Sequence, residues 1–242
     1  MKEHINMQKG TLYLIPTPIT NAPMRDILLP QYLDIVKKIE IFVVEKAKTA
    51  RQHLSSVELS MKIQDIQMFE LNEHTKKYEI DEMIKPLLEG KDIGLMSEAG
   101  VPSIADPGYR LVIVAQKNGI KVVPFTGPSS IFLALMASGL NGQNFAFNGY
   151  LPQENRDLRK AIRSVEVFAK GTGQTQIFME APYRNQKIFE NILSVCEDDT
   201  YLCVAQNIMG ENELIKTDSI VKWRKNKIKL DDVPCLFLIN KI

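Results

Sequence analysis

The stretch Ser97–Gly108, with the sequence SEAGVPSIADPG, is the most informative part of this chain of 242 residues. It follows the apolar run Ile93–Met96, so a buried strand is predicted to lead into a tight, exposed loop. In an open parallel sheet, ligands bind in the loops that leave the carboxyl ends of strands, and glycine lets a ligand approach the backbone. A second junction of this kind joins the strand Lys121–Phe125 to TGPSS, residues 126–130. The two loops predict a ligand site at one edge of a sheet.

The amino-terminal half of the chain alternates short apolar runs with helical patterns. Strands separated by helices are typical of an α/β fold with a mostly parallel sheet. The predicted strands are Thr11–Ile15, Ile39–Val44, Gln64–Glu70, Ile93–Met96 and Lys121–Phe125. The predicted helices are Ala22–Lys38, Thr49–Leu54, Lys76–Leu88 and Tyr109–Lys117. Asp106 is predicted to cap the last of these helices, with Pro107 at its first position.

The carboxyl-terminal half begins with a helix opened by Pro128-Ser129-Ser130 and then breaks in the polar stretch 139–148. Further helices are predicted around Leu158–Phe168 and Phe189–Cys196. The predicted strands are Thr175–Met179, Tyr201–Ala205, Ser219–Lys222 and Leu236–Ile239. Short connections favour antiparallel pairing, so this half should carry a mixed sheet. We expect two domains, residues 1–127 and 128–242.

The formal net charge of +1 excludes a strong electrostatic attraction of the whole molecule to nucleic acid. Two segments are nevertheless locally basic, residues 156–170 and 215–230. The first is either an ordinary solvated helix face or a contact for RNA. The second contains the only tryptophan, Trp223, which could stack on a base or pack against the core.

The sequence predicts a soluble, cytoplasmic protein with no membrane partner. Residues 1–9 lack the apolar core of a signal peptide, and the apolar stretch Ile131–Leu140 falls short of the roughly 20 residues that span a bilayer. The cysteines form neither an even disulfide framework nor a pattern of metal ligands. They are Cys196, Cys203 and Cys235. We expect buried thiols and no metal site.

Six short segments, in a fixed order along the chain, resemble one known family. They are GTLYLIPTPI (10–19), the Ser97–Gly108 loop, TGPSS (126–130), SGL (138–140), NGYLP (148–152) and EAPYR (180–184). Together they resemble the tetrapyrrole (corrin/porphyrin) methylase superfamily of S-adenosylmethionine-dependent enzymes, and specifically its rRNA small subunit methyltransferase I branch. The resemblance covers nearly the whole chain. It implies a two-domain α/β fold with a mostly parallel amino-terminal sheet, a mixed carboxyl-terminal sheet, a cofactor cleft between the domains, and a homodimer.

The resemblance also implies which residues bind S-adenosylmethionine. They are Pro18 in the first loop, Ala99, Gly100, Val101 and Ile104 in the second, Ser129 and Ser130 in the third, and Met179 before Glu180. Glu98 could bind the ammonium group or the ribose hydroxyls of the donor, and the branch usually has Asp at this position. Each residue also has a structural interpretation, as a turn former, a helix cap or part of the core.

Glu45 and Arg51 are the predicted catalytic residues. Methyl transfer to a ribose hydroxyl needs a group that removes the proton or positions the oxygen. The branch typically reads Glu-Asp-Thr-Arg at this strand end, whereas this chain reads EKAKTAR over residues 45–51. A second departure is VAQNIMG, residues 204–210, where the branch usually has Arg-Glu-Leu-Thr-Lys.

Three functions are therefore open at this point. The first is ribose 2'-O-methylation of small-subunit (16S) rRNA, with rRNA or the 30S subunit as the partner. The second is C-methylation of a corrin or porphyrin ring, and the third is a non-catalytic role in RNA binding or assembly. Donor titration separates the third from the others, and salt-dependent retention on RNA separates the first from the second.

Overall fold

The computed structural model describes residues 8–241. The chain divides into two compact units between Ser129 and Ser130, close to the predicted division after residue 127. The expectation drawn from residues 1–9 falls largely on the first seven residues, which lie outside the described part. Among residues 8–241, none of the helices combines the length and the apolar character needed to cross a membrane.

The first unit is built on a five-stranded sheet in the order β3-β2-β4-β1-β5, in which every pair of neighbours is parallel. Its strands are β1 (Thr11–Ile15), β2 (Ile41–Val44), β3 (Gln67–Glu70), β4 (Ile93–Met96) and β5 (Lys121–Pro124). Its α-helices are α1 (Pro30–Val36), α2 (Ala47–Leu54), α3 (Lys77–Met83), α4 (Lys85–Leu88) and α5 (Tyr109–Lys117). Because the strands are parallel, their carboxyl ends meet at one edge of the sheet.

Apolar clusters on both faces bury the central strands. In β2, Val43 belongs to the cluster that includes α3, α4 and α5, whereas Phe42 and Val44 belong to the cluster that includes α1 and α2. Strands buried on both faces read as continuous apolar runs, which is why β2 and β4 are visible in the sequence. The predicted parallel α/β sheet is confirmed.

Five predicted elements in this unit are shorter or broken, and two of them, the strands 39–44 and 121–125, lose only one or two end residues. The segment 22–38 contains a 3₁₀ turn, Met24–Asp26, before α1, which begins at Pro30 because proline is favoured at the first helical position. The segment 76–88 divides into α3 and α4 at Ile84, two residues before Pro86. The predicted strand 64–70 begins only at Gln67, after a second 3₁₀ turn.

The prediction that Asp106 caps α5 is wrong. The helix begins at Tyr109, with Gly108 in the capping position and no side-chain cap. Oδ1 of Asp106 accepts hydrogen bonds from the backbone N–H groups of Ser103, at 2.8 Å, and Gly108, at 2.7 Å. The carboxylate therefore closes the loop that precedes the helix.

The second unit has a five-stranded mixed sheet in the order β6-β7-β10-β8-β9. Its strands are β6 (Phe145–Tyr150), β7 (Thr175–Glu180), β8 (Tyr201–Gln206), β9 (Leu214–Ser219) and β10 (Cys235–Asn240). Its α-helices are α6 (Ser130–Ser138), α7 (Asn155–Thr172), α8 (Asn185–Val195) and α9 (Ile220–Lys225). Only β6 and β7 pair in parallel, and the other neighbours are antiparallel. The predicted mixed sheet is confirmed.

Two elements of this unit differ from the prediction. The polar stretch that was expected to be a break contains the start of β6, an edge strand with an irregular register between Phe147 and Tyr150. The predicted strand Ser219–Lys222 is wrong, because β9 ends at Ser219 and α9 begins at Ile220. Both errors fall at the margins of the sheet.

Trp223 is a core residue of α9. Its side chain is only 1% exposed, its indole N–H donates to the carbonyl oxygen of Leu202 at 2.9 Å, and its ring packs edge-on against Phe189. The interpretation of Trp223 as a stacking surface for a base is therefore wrong. The expectation of buried, unpaired thiols is confirmed at Cys196, Cys203 and Cys235.

Candidate functional site

The loops that follow β1, β4 and β5 converge at the carboxyl edge of the first sheet. Thr17 and Gly100 exchange two backbone hydrogen bonds, of 2.9 and 3.1 Å, and the hydroxyl of Ser97 donates to the carbonyl oxygen of Gly100 at 2.9 Å. Gly100 has a φ of +81°, and a Cβ atom there would lie 3.3 Å from both Cγ2 of Ile19 and the carbonyl oxygen of Pro128. Glycine is needed because the three loops approach one another at this backbone.

Most of the predicted cofactor residues lie in these three loops of the first unit. Pro18, Gly100 and Ser129 are buried, Val101 is partly buried, and Ala99 and Ile104 are exposed. The remaining two belong to the second unit, where Ser130 is the first residue of α6 and Met179 lies near the end of β7. The loops of the first unit therefore bring most of the predicted donor contacts together, and this arrangement does not depend on residues of the second unit.

The Ser97–Gly108 loop contains two residues in the left-handed region that are not glycine. Ser103 has a φ of 69° and Ala105 a φ of 59°. Such backbone is unfavourable for L-residues, and it persists where surrounding contacts hold it. Asp106 provides two of these contacts through Ser103 and Gly108. Within residues 8–241 the buried hydroxyl oxygen of Ser103 has no hydrogen-bond partner.

Glu45 follows directly after β2 and lines a small pocket with Asp106. The other lining residues are largely apolar, namely Val44, Leu71, Leu95, Met96, Pro107 and Gly108. Burial raises the pKa of Glu45, and the negative charges of Glu98 and Asp106 raise it further. The charge of Lys46 and a hydrogen bond from the backbone of Glu98 lower the pKa but do not cancel the rise.

Asp106, predicted from the sequence only as a helix cap, is the second carboxyl group of this pocket. Burial raises its pKa, although the two backbone N–H groups that it binds act in the opposite direction. Two carboxyls with raised pKa values in one pocket are a common feature of functional sites. The sequence feature that points to a role for Asp106 is its position in the same strand-end loop as Glu98. A group of this kind can hold or accept a proton closer to neutral pH than an ordinary carboxyl.

Glu98 connects the Ser97–Gly108 loop to α2. Its Oε2 accepts a hydrogen bond from the Thr49 hydroxyl at 3.2 Å and lies 3.4 Å from Nζ of Lys46. The ring Nε2 of His53 lies 3.3 Å from the carbonyl oxygen of Glu98. Because Thr49, Lys46 and His53 belong to α2 or its cap, these contacts fix the helix beside the loop.

Arg51 lies on the same helix, α2, and its side chain is exposed. In the described part of the chain it forms no ion pair with a carboxylate. An exposed guanidinium group that forms no ion pair within the protein can bind an anion from solution. Glu45 thus lies in the pocket beside the loop, directly before α2, whereas Arg51 is an exposed residue along α2 for which the described part of the chain shows no contact with the loop.

The EAPYR segment, residues 180–184, contains a buried ion pair with a structural role. Glu180 and Arg184 are buried and form an ion pair of 3.1 Å, and Arg184 donates to the carbonyl oxygen of Pro152 at 3.0 Å. This pair joins the end of β7 to the segment that precedes α7. Arg184 thus supports the start of α8, whereas Tyr183 beside it is 74% exposed.

Comparisons with known proteins agree with this architecture. A family model described as Tetrapyrrole (Corrin/Porphyrin) Methylases matches residues 28–220. The chain is 30% identical over 217 residues to the ribosomal RNA small subunit methyltransferase I of Escherichia coli O157:H7, covering 89% of this chain and 72% of that protein. It is 34% identical over 187 residues to the protein of the same name from Halalkalibacterium halodurans, covering 77% and 61%.

The fold is also similar to that of a solved structure. The crystal structure of the methyltransferase CobJ superposes with a TM-score of 0.60 at 13% identity, covering 96% of this chain and 94% of that one. At this identity the likeness concerns the fold alone. The match of the family model over most of the chain, together with a relative at 30% identity, decides the family. The chain is therefore an S-adenosylmethionine-dependent methyltransferase and belongs to the tetrapyrrole (corrin/porphyrin) methylase family.

Proposed function

We propose that the chain methylates the ribose 2'-hydroxyl of a nucleotide in small-subunit (16S) rRNA. The observation that carries this proposal is Glu45, a carboxyl with a raised pKa in a small pocket shared with Asp106, next to the Ser97–Gly108 loop. The relatives named ribosomal RNA small subunit methyltransferase I support rRNA as the substrate. The partner is then the small subunit or its rRNA, and the site of action is the cytoplasm.

The residues of the three loops fit a donor that carries an adenine, a ribose and an amino acid end. Gly100 lets the three loops that carry most of these residues meet closely, because a Cβ atom there would lie 3.3 Å from Ile19 and from the Pro128 carbonyl oxygen. We assign the donor to Pro18, Glu98, Ala99, Gly100, Val101, Ile104 and Ser129 in the first unit, and to Ser130 and Met179 in the second. When bound, S-adenosylmethionine supplies a methyl group that its sulfonium already activates, so the protein's task is orientation and proton removal.

In this proposal Glu45 is the general base. It would accept the proton of the ribose hydroxyl as the oxygen bonds to the methyl carbon and the methyl–sulfur bond breaks, with S-adenosylhomocysteine as the leaving group, and burial brings the pKa of Glu45 closer to the working pH. Asp106 acts through Glu45, because its negative charge raises the pKa of that carboxyl. Arg51 binds a phosphate next to the target ribose through its exposed guanidinium.

The proposed function is tested by incubating the purified chain with radiolabelled methyl donor and 30S subunits from a strain that lacks the gene. We expect label on one ribose of 16S rRNA. We expect E45Q to lower the rate by about 10²-fold or more, which is typical of the loss of a general base. The matched control is E40Q, because Glu40 is an exposed glutamate at the opposite end of β2.

Two results would overturn the proposal. Label on an added corrin or porphyrin, with none on the 30S subunit, would identify a ring C-methyltransferase. No label on any acceptor, together with no heat of donor binding in calorimetry, would identify a non-catalytic RNA-binding protein. Sedimentation of the same preparation tests independently the homodimer that the family resemblance implies.

A further inference from the structure

The segment that follows α9 presents a row of lysines. Lys225 ends the helix, and Lys227 and Lys229 follow it at alternate positions, all three exposed. Asn226 is exposed as well, whereas Ile228 packs against the apolar cluster of the second unit and Leu230 is buried. The alternation fixes the lysines on the solvent side of an anchored segment.

Lys225, Lys227 and Lys229 have no carboxylate partner among residues 8–241. Other lysines of this unit do have one, since Lys222 pairs with Asp218 at 3.2 Å and Lys170 with Glu197 at 3.3 Å. Two acidic residues, Asp231 and Asp232, follow the row. Asp231 accepts a hydrogen bond of 3.4 Å from the side-chain nitrogen of Gln206. The three lysines therefore present ammonium groups to solvent that form no ion pair with a protein carboxylate in the described residues.

The row leads to the first turn of α8. The backbone N–H of Leu230 donates to Oε1 of Gln186 at 2.9 Å, and the side chain of Asn185 donates to the carbonyl oxygen of Val233 at 2.7 Å. Beside this turn lie two further exposed side chains, Tyr183 and Lys187. Lys187 also has no ion pair within the described residues, and Glu190 of the same helix is engaged by Gln186.

This surface lies at the edge of the second sheet that carries Met179. Cys235, the first residue of β10, is opposite Glu180 of β7 and Gln206 of β8. The segment with the lysines therefore ends where β7 and β8 end. Met179, which we assigned to the donor, is next to Glu180 at that edge.

We propose that Lys225, Lys227, Lys229 and Lys187, together with Tyr183, bind single-stranded RNA that flanks the methylated nucleotide. This inference rests on the proposed function and names the RNA-binding surface of the second unit. Lysines bind phosphates by charge, and an exposed aromatic ring stacks on an unpaired base. The exposed Tyr183 supplies the stacking surface that the buried Trp223 cannot supply. Single strands fit better than duplexes, because only unpaired bases offer their faces to a ring.

The first test is the salt dependence of RNA binding, measured by fluorescence anisotropy with a fluorescein-labelled, unstructured 20-nucleotide RNA. Each phosphate contact on a single strand adds about 0.7 to the slope of log K against log salt, so K225Q/K227Q/K229Q should reduce the slope by about two. The matched control is K38Q/K91Q/K121Q. It removes three exposed lysines near the amino ends of β2, β4 and β5, with the same change in charge. Equal slopes in the two triple variants would overturn the proposal.

The second test concerns Tyr183. Y183A should weaken binding of the single-stranded probe by about fivefold or more with the slope unchanged, and Y183F, which keeps the ring, should restore it. Binding of a duplex of the same sequence should not depend on the ring. An equal loss for duplex and single strand would contradict stacking. Equally tight, lysine-dependent binding of polyglutamate would identify a surface for acidic proteins instead.

Methyl transfer to the 30S subunit separates the two proposals. If the wild type transfers methyl and K225Q/K227Q/K229Q has an unchanged KM for the subunit, the proposed RNA-binding surface is wrong and the proposed function stands. If the wild type transfers nothing but the triple variant loses the salt slope, the surface stands and the proposed function is wrong.

Discussion

The carboxyl groups of Glu45 and Asp106 face one small pocket, and the charge of Asp106 raises the pKa of Glu45. The two groups belong to different strand ends, since Glu45 follows β2 and Asp106 lies in the loop after β4. The fold therefore places two like charges together among apolar side chains. Such an arrangement costs stability when both groups are ionised, and it is retained where a reaction needs it.

This relationship predicts that E45Q stabilises the protein at neutral pH while it slows methyl transfer. The pKa of Glu45 is raised above its ordinary value of 4.5, so the native state holds the proton more tightly than the unfolded chain. The wild type therefore loses stability as the pH rises through the window from that value to the raised one. The amide of E45Q does not titrate, so residue 45 contributes no pH dependence to the stability of this variant.

Urea unfolding at pH 4 and pH 7 measures this effect. E45Q should exceed the wild type in unfolding free energy at pH 7, and the difference should shrink at pH 4, where wild-type Glu45 is largely protonated in both states. E40Q, at the other end of β2, should follow the wild type at both pH values. A lower stability of E45Q at pH 7 would contradict the raised pKa.

Gly100 provides a second prediction. G100A places a Cβ atom on backbone with a φ of +81°, within 3.3 Å of the Pro128 carbonyl oxygen, which cannot move as a side chain can. The left-handed conformation alone costs about 1–2 kcal/mol for a residue other than glycine. We expect a loss of unfolding free energy of that size and a weaker affinity for the donor in calorimetry.

Gly142 is the matched control for Gly100. Its backbone is not left-handed, and a Cβ atom there would meet nothing within 4 Å. G142A should therefore leave both the stability and the donor affinity close to those of the wild type. If G100A and G142A behave alike, the close approach of the three loops is not needed for donor binding.

Glu166 provides a third prediction, on stability. Although it lies in the basic segment 156–170, it is 2% exposed, and its Oε1 accepts from the Glu197 backbone N–H and the Thr200 hydroxyl, each at 2.6 Å. Its other oxygen pairs with Arg163 at 2.9 Å. E166A leaves buried donors without an acceptor and should cost about 3 kcal/mol of unfolding free energy.

D157A is the control for that measurement. Asp157 lies on the same helix and pairs with Lys160 at 3.8 Å, but both side chains are more than half exposed. Exposed pairs contribute less than about 1 kcal/mol. Thermal or urea unfolding that gives the two variants similar losses would contradict the buried role of Glu166.

The thiols provide a fourth prediction. Burial raises the pKa of Cys203 to about 11, and burial with the charge of Glu166 raises that of Cys196. Burial raises the pKa of Cys235 as well. Because the thiolate is the reactive form, none of the cysteines should react with a disulfide reagent at pH 8 in the native protein. All three should react in denaturant, and rapid reaction of a native thiol would be the contrary result.

The central strands of both units and the edge strand β5 could be predicted from the sequence, but the edge strands of the second unit could not. β4 and β10 are buried along their whole length and read as uninterrupted apolar runs. β6 and β9 pair on one side only and are partly exposed, so their residues are mixed and their bounds carry no clear pattern. Helix ends next to Pro30 and Pro86 were missed because the apolar periodicity continued across them.

The candidate site was predicted in part. The resemblance supplied the three loops, Glu45 and Arg51, because these residues stand in recognisable segments. The pairing of Asp106 with Glu45 could not be predicted from spacing, since 61 positions separate them and only the parallel strand order brings β2 beside β4. The contacts of Glu98 with α2 likewise require β2 and β4 to be neighbours in the sheet.

The burial of Trp223 determines what intrinsic fluorescence can report. The chain has one tryptophan, and it lies in the core of the second unit, so the emission spectrum follows the melting of that unit alone. The far-UV circular dichroism signal, in contrast, comes from the helices of both units. Should the amino-terminal unit open first during heating, ellipticity would fall while the emission maximum stayed blue, and the gap between the two curves would measure how independently the two halves unfold.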